Sequence, residues 1–251
     1  MVGGSSPSVG TMKKDNGGIK IDGISSEEER TWKYLQEQQH VNALNGASEM
    51  WVKGYNQMSP QLVNVPHIEA LVIPYWKPVS ISGKSNDKDF FFRLANNMFN
   101  VNSYLRKWDE RDYLPTRCRW HDTFGHLPLL WNERYARFTK SLGLIASFVQ
   151  NKEDLEKLIR LYWYTIEFSL IQDSDGGIKA LGAGIISSPS EIDYAVLNPT
   201  AEGSLSRMHE FNLDQIFQTG FVVDDFQSHY FVIEDFRQLE EALKESVKRF
   251  L

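Results

Sequence analysis

Residues 161–171 read Leu161-Tyr162-Trp163-Tyr164-Thr165-Ile166-Glu167-Phe168-Ser169-Leu170-Ile171, apolar or aromatic throughout except at Thr165, Glu167 and Ser169. Leu155, Leu158, Ile159, Tyr162, Trp163, Ile166 and Leu170 recur at helical spacing, which predicts one helix over Lys152 to Gln172, buried all round at its C-terminal end. Glu167 lies one turn after Trp163, at the border of that stripe. Burying an unpaired carboxylate costs several kcal/mol. Glu167 is therefore protonated, paired with an arginine, or bound to a metal.

Two histidines upstream bear on that choice: His121 and His126 in Trp120-His121-Asp122-Thr123-Phe124-Gly125-His126-Leu127-Pro128. On an unbroken helix residues five apart point about 140° from one another, too divergent for one ion. Gly125 and Pro128 predict that the helix ends here, which swings His126 back beside His121. Two neutral imidazoles and one carboxylate form the 2-His-1-carboxylate facial triad that suits non-haem Fe(II) and leaves three positions open. A zinc hydrolase uses the same ligand types. Its His-Glu-x-x-His helix keeps a glutamate beside the first ligand, whereas here Asp122 follows His121 and the spacing is longer.

The chain has 251 residues, 41% hydrophobic and 24% charged, enough apolar side chain for one domain or at most two small ones. Lys plus Arg 27 against Asp plus Glu 33 leaves a charge of -6, the wrong sign for a partner recognised through nucleic-acid phosphates. The single cysteine, Cys118, excludes an internal disulfide, a zinc finger or an Fe–S cluster, so any metal is held by nitrogen and oxygen. No apolar run approaches the roughly 20 residues that a bilayer requires, and the Gly/Ser-rich start lacks the apolar stretch of a secretory signal. Those features predict a cytoplasmic protein without a membrane or nucleic-acid partner.

Residues 1–25 have almost nothing to bury and read as a flexible tail. Ser26 and Glu29 fit a capping box opening a helix over Glu27 to Asn45 that closes at Gly46. Further helices are expected over Asp87 to Trp108, Arg134 to Gln150 and Phe236 to Leu251. Strand-like runs fall at Ile178 to Leu181, Phe221 to Val223 and Tyr230 to Ile233. The expected architecture is mainly α with a few short strands, in a single domain spanning 26–251.

Taken together, His121 to Pro128, Tyr162 to Phe168 and Lys179 to Ser188 resemble the pterin-dependent aromatic amino acid hydroxylases. That family carries His-x-x-x-Gly-His-x-Pro, then Tyr-Trp-x-Thr-x-Glu-Phe, then Lys-Ala-x-Gly-Ala-Gly-x-x-Ser-Ser. The resemblance covers roughly Ser26 to the C-terminus and implies a helical basket around a non-haem iron. It implies Fe(II) held by His121, His126 and Glu167, a tetrahydrobiopterin or related tetrahydropterin as cofactor, and O2 as co-substrate. Arg106 matches the arginine that clamps the substrate carboxylate, with Ser187 assisting. Trp163, Phe168, Pro115 and Arg117 would flank the substrate. Phe90 matches the ring on which the pterin stacks, with Gly83, Lys84 and Ser85 along its edge and Asp122 close by.

The chain also departs from the family. Asp122 stands where glutamate is common. Leu114, Thr116, Arg117 and Cys118 replace a Thr-Pro-Glu-Pro-Asp stretch of which only Pro115 remains, so Arg117 puts a cation where a proline usually flanks the substrate. Trp163 favours phenylalanine or tyrosine over tryptophan as substrate, with phenylalanine preferred. The same chemistry on tyrosine or tryptophan, or meta-hydroxylation of phenylalanine, is the alternative; a His2Glu zinc hydrolase and a non-catalytic amino acid or pterin-binding protein are the rivals. The last expected helix ends the chain, which resembles the compact bacterial form and implies a monomer.

Overall fold

Ser25, rather than Ser26, caps α1 (Ser26–Gly46): its side chain accepts the Glu28 N–H at 3.3 Å, and the Glu28 carboxylate accepts the Ser25 N–H at 2.8 Å. Both serine–glutamate pairs fit the capping pattern. The earlier one places Glu27, Glu28 and Glu29 together in the first turn, where the helix dipole favours negative charge. The computed structural model describes residues 23–251 except Lys84 and Pro115, together with the backbone of a short antiparallel pair, β1 (Lys14–Asp15) and β2 (Gly18–Ile19). Most of the expected flexible tail lies outside the described residues.

A second helix, α2 (Glu49–Leu62), follows at once, capped by Ser48. It is absent from the expected set, its helical signal being interrupted by Gly54 and by Pro60 in its C-terminal part. The expected helix over Asp87 to Trp108 is corrected. β3 (Lys77–Ile81), α3 (Asp87–Ala95) and β4 (Met98–Asn102) form a parallel crossover unit in which Lys77 opposes Met98 and Ile81 opposes Asn102. Asn97 takes φ 57°, a left-handed conformation that asparagine tolerates, and so stops the helix. The apolar residues Phe99 and Val101 then alternate along a strand.

The two central helices, α4 (Glu133–Phe148) and α5 (Lys152–Tyr162), are capped by Asn132 and Asn151. The helix expected to reach Gln172 ends at Tyr162, and Ser169–Gln172 forms strand β5 instead. Leu170 lies opposite Ala180 on one side and Val232 on the other, so strand pairing claims a segment whose apolar run fits either structure. The sheet runs β6 (Ile178–Ala180), β5, β8 (Tyr230–Ile233), β7 (Met208–Glu210), antiparallel between β5 and β6 and parallel elsewhere. Phe221 to Val223, expected as a strand, is irregular. Short helices α6 (Ala183–Ile186), α7 (Pro189–Ile192) and α8 (Leu213–Gln218) follow β6, and α9 (Arg237–Phe250) packs on α4. The fold is mainly α with short strands, as its sequence implies.

Three turns are wider than α-helical: Leu127, Phe168 and Asn198 each donate their N–H to the carbonyl five residues back, on Asp122, Trp163 and Asp193. An aromatic column backs the first of these turns. Trp120 stacks on Phe124 at 4.2 Å, Trp51 stacks on Tyr55 at 4.7 Å, and Trp32 meets Trp120 edge-on at 5.2 Å. The indole N–H groups donate to the carbonyls of Ser187, Phe124 and Leu62, so the rings are buried without orphaned donors.

Candidate metal centre

His121 and His126 occupy the ends of the widened turn His121–His126. An i→i+5 turn brings residues five apart onto one face, which the expected helix end does not do. The backbone continues without a break, and Gly125 serves a different purpose from ending the helix. A Cβ there would lie 2.7 Å from the Ala183 carbonyl oxygen, so glycine lets the turn close onto α6. Glu167 ends the second widened turn, Trp163–Glu167, and Gly182 lets the connection from β6 to α6 pass its carbonyl, where a Cβ would intrude to 2.3 Å.

These turns aim three donor atoms at one point. His121 Nε2 and His126 Nε2 lie 3.0 Å apart, and Glu167 Oε2 is 3.3 Å from the first and 3.2 Å from the second. Ligands at right angles on bonds of about 2.1 Å stand about 3.0 Å from each other, so the spacing fits three facial positions of one octahedral ion. Among the described residues His121, His126 and Glu167 are the one group of three or more His, Cys, Asp or Glu with metal-binding geometry. His121 Nδ1 lies 2.9 Å from Ser187 Oγ; donation of that N–H to the hydroxyl leaves the Nε2 lone pair facing the shared point.

The electrostatics agree with that donor set. Burial lowers the pKa of both imidazoles against the opposing pull of Glu167, which keeps them neutral. Burial also pushes the Glu167 carboxyl up, but the Arg117 guanidinium paired with it outweighs burial and holds the group well below the usual carboxylate range. Glu167 is therefore an anion. Asp122 is wholly buried, its carboxyl raised by burial; its Oδ2 accepts the Asn102 N–H at 2.7 Å and its Oδ1 lies 4.0 Å from His121 Nε2.

A cavity of about 710 Å³ opens beside the donors, with His121 and Glu167 in its lining. Arg106 is 4% exposed on its wall. Its Nε donates to Cys118 Sγ at 3.1 Å and its Nη1 to the Arg111 carbonyl at 3.2 Å. No carboxylate among the described residues neutralises it. Ser187, Trp163 and Phe168 share that wall, and Trp163 is held by Phe221, stacked at 4.2 Å, and by its N–H to Gln227 Oε1 at 2.8 Å. On the opposite side Phe90 stands edge-on to Tyr162 at 5.1 Å. The Gly83 and Ser85 loop is tied to β4, Asn102 donating to the Gly83 carbonyl and Asn100 to Ser85 Oγ. Gly83 takes φ 76°, which suits glycine. Lys84 and Pro115, both expected at the site, lie outside the described residues.

Arg117, expected beside a substrate, lines the cavity, where it pairs with Glu167 Oε1 and donates to Tyr162 Oη at 2.8 Å. The sequence reading also missed several wall residues. Tyr162 stands inside a quoted motif and was open to recognition there. Phe221 stands in a run read only as a strand, and Glu191 belongs to a segment with no periodic signal.

A family model described as biopterin-dependent aromatic amino acid hydroxylase matches residues 24–251. A phenylalanine-4-hydroxylase of Ralstonia nicotianae is 34% identical over 221 residues, covering 85% of this chain and 68% of that one. The corresponding protein of Chromobacterium violaceum is 34% identical over 229 residues, covering 88% and 74%. The crystal structure of C. violaceum phenylalanine hydroxylase with bound iron(III) and 7,8-dihydrobiopterin superposes with a TM-score of 0.81 at 32% identity, covering 91% of this chain and 83% of that one.

Proposed function

Because the chain belongs to the biopterin-dependent aromatic amino acid hydroxylases, we propose that it hydroxylates the ring of L-phenylalanine, with His121, His126 and Glu167 as the ligands of Fe(II). It is a pterin-dependent monooxygenase that works with iron, a tetrahydropterin and O2. The observation that carries the ligand assignment is the set of three donor atoms at 3.0, 3.2 and 3.3 Å from one another, buried beside a cavity. The preference for phenylalanine rests on the names of the relatives and on Trp163 at the wall.

Bound Fe(II) and tetrahydropterin supply the activation of dioxygen and the two electrons it requires, and the protein positions and shields the reactants. Arg106, buried and without a carboxylate partner among the described residues, clamps the amino acid carboxylate through its planar fork. Ser187 stands between that carboxylate and His121, so one hydroxyl both orients a ligand and marks the substrate end of the pocket. Trp163 and Phe168 flank the ring and, with Phe221, exclude water. Phe90 stacks on the pterin, and the Gly83–Ser85 loop follows its edge beside Asp122.

Residues 26–251 make up the catalytic unit, acting as a monomer; no helix among the described residues is long and apolar enough to cross a membrane. A cytoplasmic location follows from the composition. The test is anaerobic reconstitution with Fe(II) or Zn(II), then air, tetrahydropterin and each of Phe, Tyr and Trp, with products identified by mass and NMR. Tyrosine formed from phenylalanine with Fe(II) alone supports the reading. A product from another amino acid only, or activity with Zn(II), contradicts it, and 3-hydroxyphenylalanine in place of tyrosine keeps the substrate and moves the ring position.

A further inference from the structure

We propose that Arg117 is a positioning residue that fixes Glu167 as a one-oxygen metal ligand, its guanidinium holding Oε1 so that Oε2 alone faces the two histidines. The inference rests on the reading of His121, His126 and Glu167 as a metal centre. A carboxylate beside a divalent cation has two modes, through one oxygen or through both, and the two leave different numbers of positions open. Here the two oxygens have separate partners. Oε2 stands 3.3 and 3.2 Å from the histidine Nε2 atoms, while Oε1 accepts from Arg117 Nη2.

The arginine is itself held. Nη2 also donates to Tyr162 Oη at 2.8 Å, and the guanidinium carbon lies 4.9 Å from the centre of the Phe90 ring and 5.6 Å from that of Tyr162. Cation–π contact on those rings and the Tyr162 hydroxyl restrain its fork, and Glu167 is 2% exposed, so water does not compete for Oε1. For Glu167 to chelate through both oxygens, Oε1 must leave the Arg117 guanidinium, which gives up a charge-assisted hydrogen bond to a carboxylate side chain only 3% exposed. With one-oxygen ligation, three positions of a six-coordinate ion stay exchangeable; chelation leaves two.

The test counts those positions directly. Mn(II) is bound to the purified chain in ¹⁷O-enriched water, and bound waters are counted from the broadening of its EPR lines. The wild-type chain and Arg117→Lys are expected to show three waters, and Arg117→Ala and Arg117→Met two, a change that loss of packing alone does not produce. Three waters in both Arg117→Ala and Arg117→Met overturn the proposal, as do two in the wild type. Loss of Mn(II) from both variants overturns it as well, because a freed carboxylate holds the ion at least as well. A Glu167→Ala chain that binds Mn(II) like the wild type removes the metal centre itself, which separates failure of that reading from failure of this one.

Discussion

Removing the Glu167 carboxylate leaves two neutral imidazoles facing an ion with no anionic partner in the buried pocket. Glu167→Ala is expected to retain almost no iron and to lose turnover by at least about 10³-fold, with the helical circular dichroism preserved. Metal analysis of the purified variant checks this. Arg106 acts at the other end of the pocket, where Arg106→Ala is expected to raise the KM for the amino acid by about 10- to 100-fold while that for the pterin stays close to the wild-type value, the size of a lost charge-assisted hydrogen bond. Steady-state kinetics with each substrate varied in turn separates the two; equal rises contradict the assignment. The three donor residues are legible in the sequence because an acid inside an apolar helical run demands a partner, and two histidines supply one. Arg117 is legible only as a departure. That it reaches Glu167 depends on the path of the Leu114–Cys118 loop, which has no periodicity from which direction could be read.

Helix patterns extend too far along this chain for a physical reason that recurs. After Ala95, and after the widened turn that carries the second helix on to Glu167, strands take over, because the same apolar residues suit a buried strand equally well and only the partner decides. β4 finds β3 and β5 finds β6 and β8, pairings invisible in a local window. The widened turns are equally hidden, since a five-residue repeat needs a sixth backbone position to absorb it, and sequence spacing alone suggests a helix end. Their cost is met by close packing at glycine. Gly125→Ala is expected to destabilise by about 1–3 kcal/mol and to lower iron retention, because the new methyl meets the Ala183 carbonyl and pushes His126 off the shared point. Gly220→Ala, where an added Cβ meets nothing within 4 Å, is expected to stay within about 0.5 kcal/mol of the wild type. Thermal melting of both chains with iron titrations checks the pair; equal effects contradict the packing account.

On the scale of the whole molecule, buried acids couple stability to pH. Glu191 is fully buried, and burial pushes its carboxyl up to about 7, against the opposing hydrogen bonds from Tyr230 at 2.5 Å and the Gln227 N–H at 3.3 Å. The folded chain thus keeps a proton that the unfolded chain gives up near 4.5, so this group's contribution is fully present below that value and is lost as pH rises towards 7. Glu191→Gln removes the dependence. The variant is expected to gain stability relative to the wild type between pH 5 and 8 by up to about 3 kcal/mol, read from denaturant unfolding at each pH. A constant difference across that range contradicts the assignment. The mainly helical architecture with few strands was readable from composition and periodicity; the four-stranded sheet was not, because β5, β6, β7 and β8 come from segments far apart in the chain.

The roles assigned to His121, His126 and Glu167 converge on one ion. Crystals of the chain reconstituted anaerobically with Fe(II), measured on both sides of the iron absorption edge, locate that ion without reference to activity. The account predicts a single anomalous peak about 2.1 Å from His121 Nε2, His126 Nε2 and Glu167 Oε2. A peak elsewhere, or a saturated protein with none at this point, contradicts it.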